Sequence, residues 1–263
     1  MKRVLGSILA VGSLVGGAAV AFPACVHDDS TMFILDALAQ PTGSTSGQCS
    51  YTSDPTQPYL PQGIVDFALR QEYVATFLVG NQMVPEVNPT QLMTETSFIN
   101  IQGAVVRVTK SDGTPVTSFT RLVGATIPPS TGSTPGYGPV SVLILDPTTI
   151  LSDNDVITNI ESAAIPGPSV VRFVTYTKFF GQTLGGKSVE SNEFEFPVDV
   201  CSGCLIGFSN GPDHPAPNCV PTAGTTTTVT APCLAGQDSI VPCGGVCGII
   251  PICAANDAFD GGP

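Results

Sequence analysis

Nine cysteines are spread so unevenly through the 263 residues that they limit what this chain can fold into. Cys25 closes an apolar N-terminal segment and Cys49 stands alone. Cys201, Cys204, Cys219, Cys233, Cys243, Cys247 and Cys253 crowd into the C-terminal quarter. Over residues 201–263 apolar periodicity is absent and Gly and Pro are frequent, so this tail cannot build a core of its own. Disulfides, each contributing about 2–4 kcal/mol, have to supply what burial cannot. Seven is an odd number, so at least one tail cysteine reaches outside the tail. Its expected partner is Cys49, and such a bridge laces the N-terminal loop and the tail over the same end of the folded domain. Cys49 and the seven tail cysteines then make four bridges, which persist only in an oxidising compartment.

The N-terminus agrees with export. Lys2 and Arg3 precede an uncharged stretch from Val4 to Ala24, the layout of a secretory signal. Two processing points compete. Ala19-Val20-Ala21 suits ordinary signal peptidase, whereas Phe22-Pro23-Ala24-Cys25 is a degenerate bacterial lipobox with Phe22 where an aliphatic residue is usual. Parity favours lipidation of Cys25, because an even number of thiols then remains. The segment is long enough to span a membrane uncleaved, but it is Gly-rich and signal-like. Val26, rather than an acidic residue, follows Cys25. By analogy with lipoprotein sorting in two-membrane bacteria, the expected location is the outer membrane, with a periplasmic or secreted protein as the alternative.

Composition narrows the partners. The chain has 21 acidic against 9 basic residues, a formal charge of −12, and loss of Lys2 and Arg3 makes it more negative. Such a chain repels phosphate backbones and anionic surfaces, so nucleic acid is excluded as a partner. Charged residues are only 11% of the total, against 28 Gly and 24 Pro, which fits an extracellular β-protein with many turns.

The chain divides into a signal peptide at 1–24, a tether and lead-in loop at 25–62, a β-domain at 63–200 and the cysteine-rich tail at 201–263. The lead-in loop is broken by the Pro41 to Gly47 stretch and by Asp54-Pro55. Ile64 to Val79 reads as one strand, with Ala68 and Arg70 in a briefly helix-compatible stretch. Phe98 to Lys110 and Pro115 to Val123 flank Ser111-Asp112-Gly113-Thr114 and read as a hairpin, the clearest in the chain. Further strands are expected at Val140 to Leu145, Val156 to Glu161, Val170 to Phe180 and Ser188 to Val200. In the last of these, Phe194, Phe196, Val198 and Val200 face one way and Glu193, Glu195, Pro197 and Asp199 the other. About seven strands without a useful amphipathic helix predict an all-β protein, an antiparallel immunoglobulin-like β-sandwich with a disulfide-rich, loop-dominated tail. The absence of Trp and of a Cys pair inside the strands argues against a true antibody-type domain.

Several motifs weigh toward structure rather than chemistry. Gly181-Gln182-Thr183-Leu184-Gly185-Gly186-Lys187-Ser188 satisfies the letter of the phosphate-binding pattern, but the physics of that pattern needs a helix after the loop, and here a strand follows. Cys201-Ser202-Gly203-Cys204 has the spacing of a redox pair, and with Cys243-Gly244-Gly245-Val246-Cys247 it has the thiols for zinc. An oxidising compartment favours structural bridges, so no metal site, cofactor or catalytic residue is assigned. Only His27 and His214 are available for acid–base work. The first sits on the tether, and the second in the Pro-rich Gly211-Pro212-Asp213-His214-Pro215, a setting more typical of a solvated side chain. Asp153, Asn154 and Asp155, like Asp257 and Asp260, lack calcium-loop spacing.

The lipobox-like Cys25 with His27-Asp28-Asp29-Ser30, Leu78-Val79-Gly80-Asn81-Gln82, Thr94-Glu95-Thr96 leading to Gly103-Ala104, and Phe194-Glu195-Phe196-Pro197-Val198 ending in Cys201-Ser202-Gly203-Cys204 together carry a resemblance. The chain resembles uncharacterised cell-envelope lipoproteins of predatory soil bacteria over most of its mature length. The resemblance implies location and lipidation and transfers no site. The expected role is therefore non-enzymatic: binding, adhesion or structure, with a lipid anchor in the membrane and an envelope protein or glycan as partner. The alternative is an envelope enzyme or metal-binding protein using the tail or His214.

Overall fold

The computed structural model describes residues 31–41, 49–85, 95–156, 170–207 and 232–242 of the chain. Along them run β1 (Met32–Ala37), β2 (Gly63–Asp66), β3 (Tyr73–Asn81), β4 (Ile99–Lys110), β5 (Pro115–Ile127) and β6 (Gly136–Leu145). Two short helical turns follow, α1 (Pro147–Leu151) and α2 (Asn154–Val156). The remaining strands are β7 (Val170–Thr183), β8 (Ser188–Glu190), β9 (Phe194–Cys201), β10 (Ile206–Gly207) and β11 (Val241–Pro242). One sheet has the order β1-β3-β6, and a larger one the order β2-β9-β7-β4-β5 with β8 added beside β7. The pairings are antiparallel except β2 with β9 and the small β10–β11 pair, which are parallel.

The apolar faces of the two sheets share one core. Its centre is Phe77 of β3, fully buried, whose ring meets Phe179 of β7 at 5.9 Å and Phe194 and Phe196 of β9 at 5.5 and 6.2 Å, all edge-on. Edge-to-face rings add about 0.5–1.5 kcal/mol per pair to the burial itself. β3 is the middle strand of its sheet and is buried on both faces, which is why Val74 to Val79 is a nearly continuous apolar run instead of an alternating one. The opposite case is β5, at the edge of the larger sheet. Its residues alternate between half-buried and exposed, and Leu122 is 85% exposed.

The Asp112-Gly113 hairpin forms as its sequence predicts, with the Lys110 amide donating to Thr114 O at 2.9 Å and the Thr114 amide to Asp112 Oδ1 at 2.8 Å. Five expectations are corrected. Ile64 to Val79 is two strands in different sheets, because the chain reverses after Asp66, whose carbonyl accepts the Leu69 and Arg70 amides at 2.9 and 2.8 Å. The helix-compatible Ala68–Arg70 stretch is that turn. Ser188 to Val200 is likewise two strands, interrupted where Ser191 bonds the Phe179 backbone. Val156 ends a helical turn instead of opening a strand, while 157–161 lie outside the described residues. Met32–Ala37, placed in the tether, is a strand that pairs antiparallel alongside β3, and the β2–β9 pairing makes the larger sheet mixed instead of wholly antiparallel.

The connection after β6 is held by two acids. Asp146 caps α1, its Oδ1 accepting the Thr149 amide at 2.7 Å and its Oδ2 meeting Arg121 Nη2 of β5 at 2.7 Å. Asp153 is buried against Lys110 Nζ of β4 at 2.8 Å. Residues 146 and 153 are thereby fastened to the long hairpin.

Candidate functional site

Acidic, phenolic and sulfur groups converge where β2 and β3 part company. Because β2 pairs with β9 and β3 with β6, the chain between Asp66 and Tyr73 crosses from one sheet to the other and leaves backbone groups to be satisfied. The tail segment 232–242 fills that gap. Asp66 donates its amide to Gly236 O at 2.9 Å, and Val65 forms an isolated bridge with Gln237. The Gln237 carboxamide imitates a strand, its Oε1 accepting the Val74 amide at 3.1 Å and its Nε2 donating to Val74 O at 2.8 Å. Gln40 of the lead-in loop reaches the same segment, donating to Gln237 O and accepting the Leu234 amide at 3.2 Å.

Asp238 stands at the centre of this corner. Its φ of 56° is left-handed, a region that non-glycine residues enter rarely and Asp more readily than most. Oδ1 accepts the Ile64 amide at 2.8 Å and Oδ2 the Tyr73 hydroxyl at 2.8 Å. Burial pushes the Asp238 carboxyl above the ordinary carboxylate range, and the hydrogen bonds from Ile64, Tyr73 and Gln237 only partly oppose it. Burial, reinforced by the Asp238 charge, pushes the Tyr73 hydroxyl well up. Tyr51 is raised too, by burial first.

Beside it lies Asp66, fully buried at the end of β2. Its Oδ1 accepts the amides of Gly203 at 2.7 Å and Ala68 at 3.1 Å, and its Oδ2 that of Leu205 at 2.9 Å. Gly203 and Leu205 belong to the loop that carries Cys201 and Cys204, which are bridged with a Cα separation of 6.0 Å. An Asp66 oxygen and the two sulfurs all lie within 4.8 Å of one another. As a donor set, two thiolates and a carboxylate suit zinc. In the bridged state the sulfurs are spent on each other and both carboxylate oxygens are taken by amides, so this arrangement fastens a loop.

The second bridge joins Cys49 to Cys233, 184 positions apart, with a Cα separation of 5.2 Å. It ties the lead-in loop to the tail segment that plugs the β2–β3 gap. Cys219, Cys243, Cys247 and Cys253, the lipidation candidate Cys25, and both His27 and His214 lie outside the described residues. Asp153 is engaged by Lys110, and the side chain of Asp155 is not among those described.

The phosphate-pattern residues form a hairpin loop between β7 and β8. The Thr183 amide donates to Lys187 O at 2.8 Å, and Gly186 holds the left-handed φ of 84° that the turn needs. Gly181 lies so close to β4 that a Cβ there would stand 2.3 Å from Asn100 O. The glycines answer to turn geometry and strand approach, and no helix follows to present amides to a phosphate.

Sequence reasoning passed over Asp66, Asp238, Gln237, Gln40 and Tyr73. The one signal available was Asp66 itself, a lone acid between Val65 and Phe67. Its partners come from residues 203 and 205, which no local pattern connects to it. Among the described residues no helix is long and apolar enough to cross a membrane. Compared with models of protein families, with curated proteins and with solved structures, the chain matches none of them.

Proposed function

We propose that this chain is an exported cell-envelope protein, lipid-anchored through Cys25 in the outer membrane. Its role is non-enzymatic, that of an immunoglobulin-like β-sandwich that binds an envelope protein or glycan or acts as an adhesive or structural module. The observation that carries this reading is the Cys49–Cys233 bridge. A disulfide that ties the lead-in loop to the tail segment plugging the β2–β3 gap supports an oxidising compartment. The commitments around it support the same reading. Both oxygens of Asp66 and of Asp238 accept hydrogen bonds that hold chain segments together. Two sheets meeting through Phe77, Phe179 and Phe196 are compatible with a sandwich, and the acidic surface with a protein or glycan partner in place of a nucleic acid.

The test is the intact mass of the protein from the membrane fraction, with and without reduction and alkylation. A chain beginning at Cys25 with an acyl adduct, and eight cysteines protected until reduction, is the expected result. A chain beginning at Phe22 without lipid would remove the anchor. The Asp66, Cys201 and Cys204 cluster favours one competing reading, metal binding at the tail. Stoichiometric zinc in protein purified without reductant, or an activity abolished by His214→Ala, would put that reading first.

A further inference from the structure

The two bridges differ in the properties that govern thiol exchange. Cys49–Cys233 closes a loop of 184 positions and has Cys233 buried, whereas Cys201–Cys204 spans three positions, with Cys201 fully buried and Cys204 exposed. Closing so short a loop restricts the unfolded chain far less than closing the long one, so the fold depends less on the short bridge. Its loop is also held without the sulfurs. Asp66 accepts the Gly203 and Leu205 amides, the Phe67 amide donates to Cys201 O at 2.7 Å, and the Val241 amide donates to Leu205 O at 2.7 Å. Cys201 is in addition the last residue of β9, paired with Asp66 on one side and Val170 on the other.

We propose that Cys201–Cys204 is an exchangeable disulfide that takes two electrons from a dithiol on another protein, with Cys204 as the sulfur attacked. A thiolate of the partner displaces at Cys204 Sγ. The Cys201–Cys204 bond breaks, a mixed disulfide forms on Cys204, and Cys201 leaves as a thiolate that takes up a proton. The partner's second thiolate then attacks its own sulfur in the mixed disulfide and expels Cys204. The partner ends as a disulfide and this chain as a dithiol. Asp66 is a positioning residue in this cycle: its hydrogen bonds keep the reduced loop in place, so the sulfurs stay near each other and reoxidation needs no refolding. The proposal requires only that the bridge forms, and it stands whether or not Cys25 carries lipid.

Native, oxidised, full-length protein is titrated with dithiothreitol, quenched with a maleimide and peptide-mapped, with circular dichroism read on the same samples. Cys201 and Cys204 are expected to be labelled at reductant concentrations at least ~10-fold below those that label Cys49 and Cys233, with the β signal unchanged. Labelling of the four together, or labelling of Cys201 and Cys204 only as the β signal is lost, overturns the proposal. In Cys201→Ser, oxidised glutathione is expected to form an adduct on Cys204, while in Cys204→Ser the buried Cys201 stays unmodified. No adduct on Cys204, or equal modification of Cys201 in folded protein, overturns the assigned point of attack.

Discussion

At Asp238 a left-handed backbone and a half-buried carboxylate coincide, so its titration feeds directly into stability. Because its folded-state value is raised, the native state holds this proton more tightly than the unfolded chain does. The associated stability is full below about pH 4 and is lost as pH rises through the raised value. Asp238→Asn keeps the acceptor for the Ile64 amide, tolerates positive φ and cannot ionise. Its melting temperature is expected to fall less than that of the parent between about pH 4 and pH 7, and a pH series of thermal melts on both proteins measures it. A parallel course in the two proteins would mean that Asp238 titrates normally. Asp66 makes the complementary case. Asp66→Ala strips an acceptor from the Ala68, Gly203 and Leu205 amides, and leaving such donors unpaired costs about 1–3 kcal/mol each where they stay dry. A loss of about 3 kcal/mol or more in urea unfolding is expected, against less than about 0.5 kcal/mol for an exposed turn residue such as Ser133→Ala.

Among the elements, those written in short-range chemistry are the ones the sequence announces. The β4–β5 hairpin needs only an Asp-Gly turn and alternating flanks, all within about thirty residues, and the β7–β8 loop needs only its glycines. β1 escapes notice because Met32–Ala37 is six residues long and its register is set by β3, some forty positions away. The break between β2 and β3 is hidden for a similar reason: Val65, Phe67 and Tyr73 look like one strand until Asp66 is seen to be held by residues 203 and 205. Helix α1 shows a local device with a distant component. Asp146 caps it and also pairs with Arg121 across to β5, and the hydrogen bonds from Thr149 and Thr148 with the Arg121 charge bring its carboxyl below the ordinary range although burial works the other way. Asp146→Ala is expected to cost about 1–3 kcal/mol, and Asp146→Asn less, because the amide still caps. Denaturant melts of the two variants compare cap with charge.

For the whole molecule, the distinction lies between two disulfides with different tasks. Cys49→Ser with Cys233→Ser releases the strap that seats segment 232–242 against Val65 and Val74, and is expected to cost about 2–5 kcal/mol. Limited proteolysis at the tail of this double variant should quicken, whereas Cys201→Ser with Cys204→Ser should cost less, about 1–2 kcal/mol, and leave proteolysis close to the parent. Equal destabilisation by the two pairs would show that the short bridge also supports the fold.

By itself the sequence determined what depends on composition and short-range pattern: a β-rich chain, a net negative charge, the central hairpin and the harmless reading of the glycine-rich loop. These follow from turn chemistry, side-chain alternation and residue counts, each legible within a window of a few residues. Only the tertiary structure decided that a strand forms in the tether, that one apolar run belongs to two sheets, and that Asp66 and Asp238 face inward. It also decided which cysteine, Cys233, meets Cys49. Each of these depends on groups from about forty to nearly two hundred positions apart satisfying one another's hydrogen bonds or valences, and no local pattern records which distant residue will arrive.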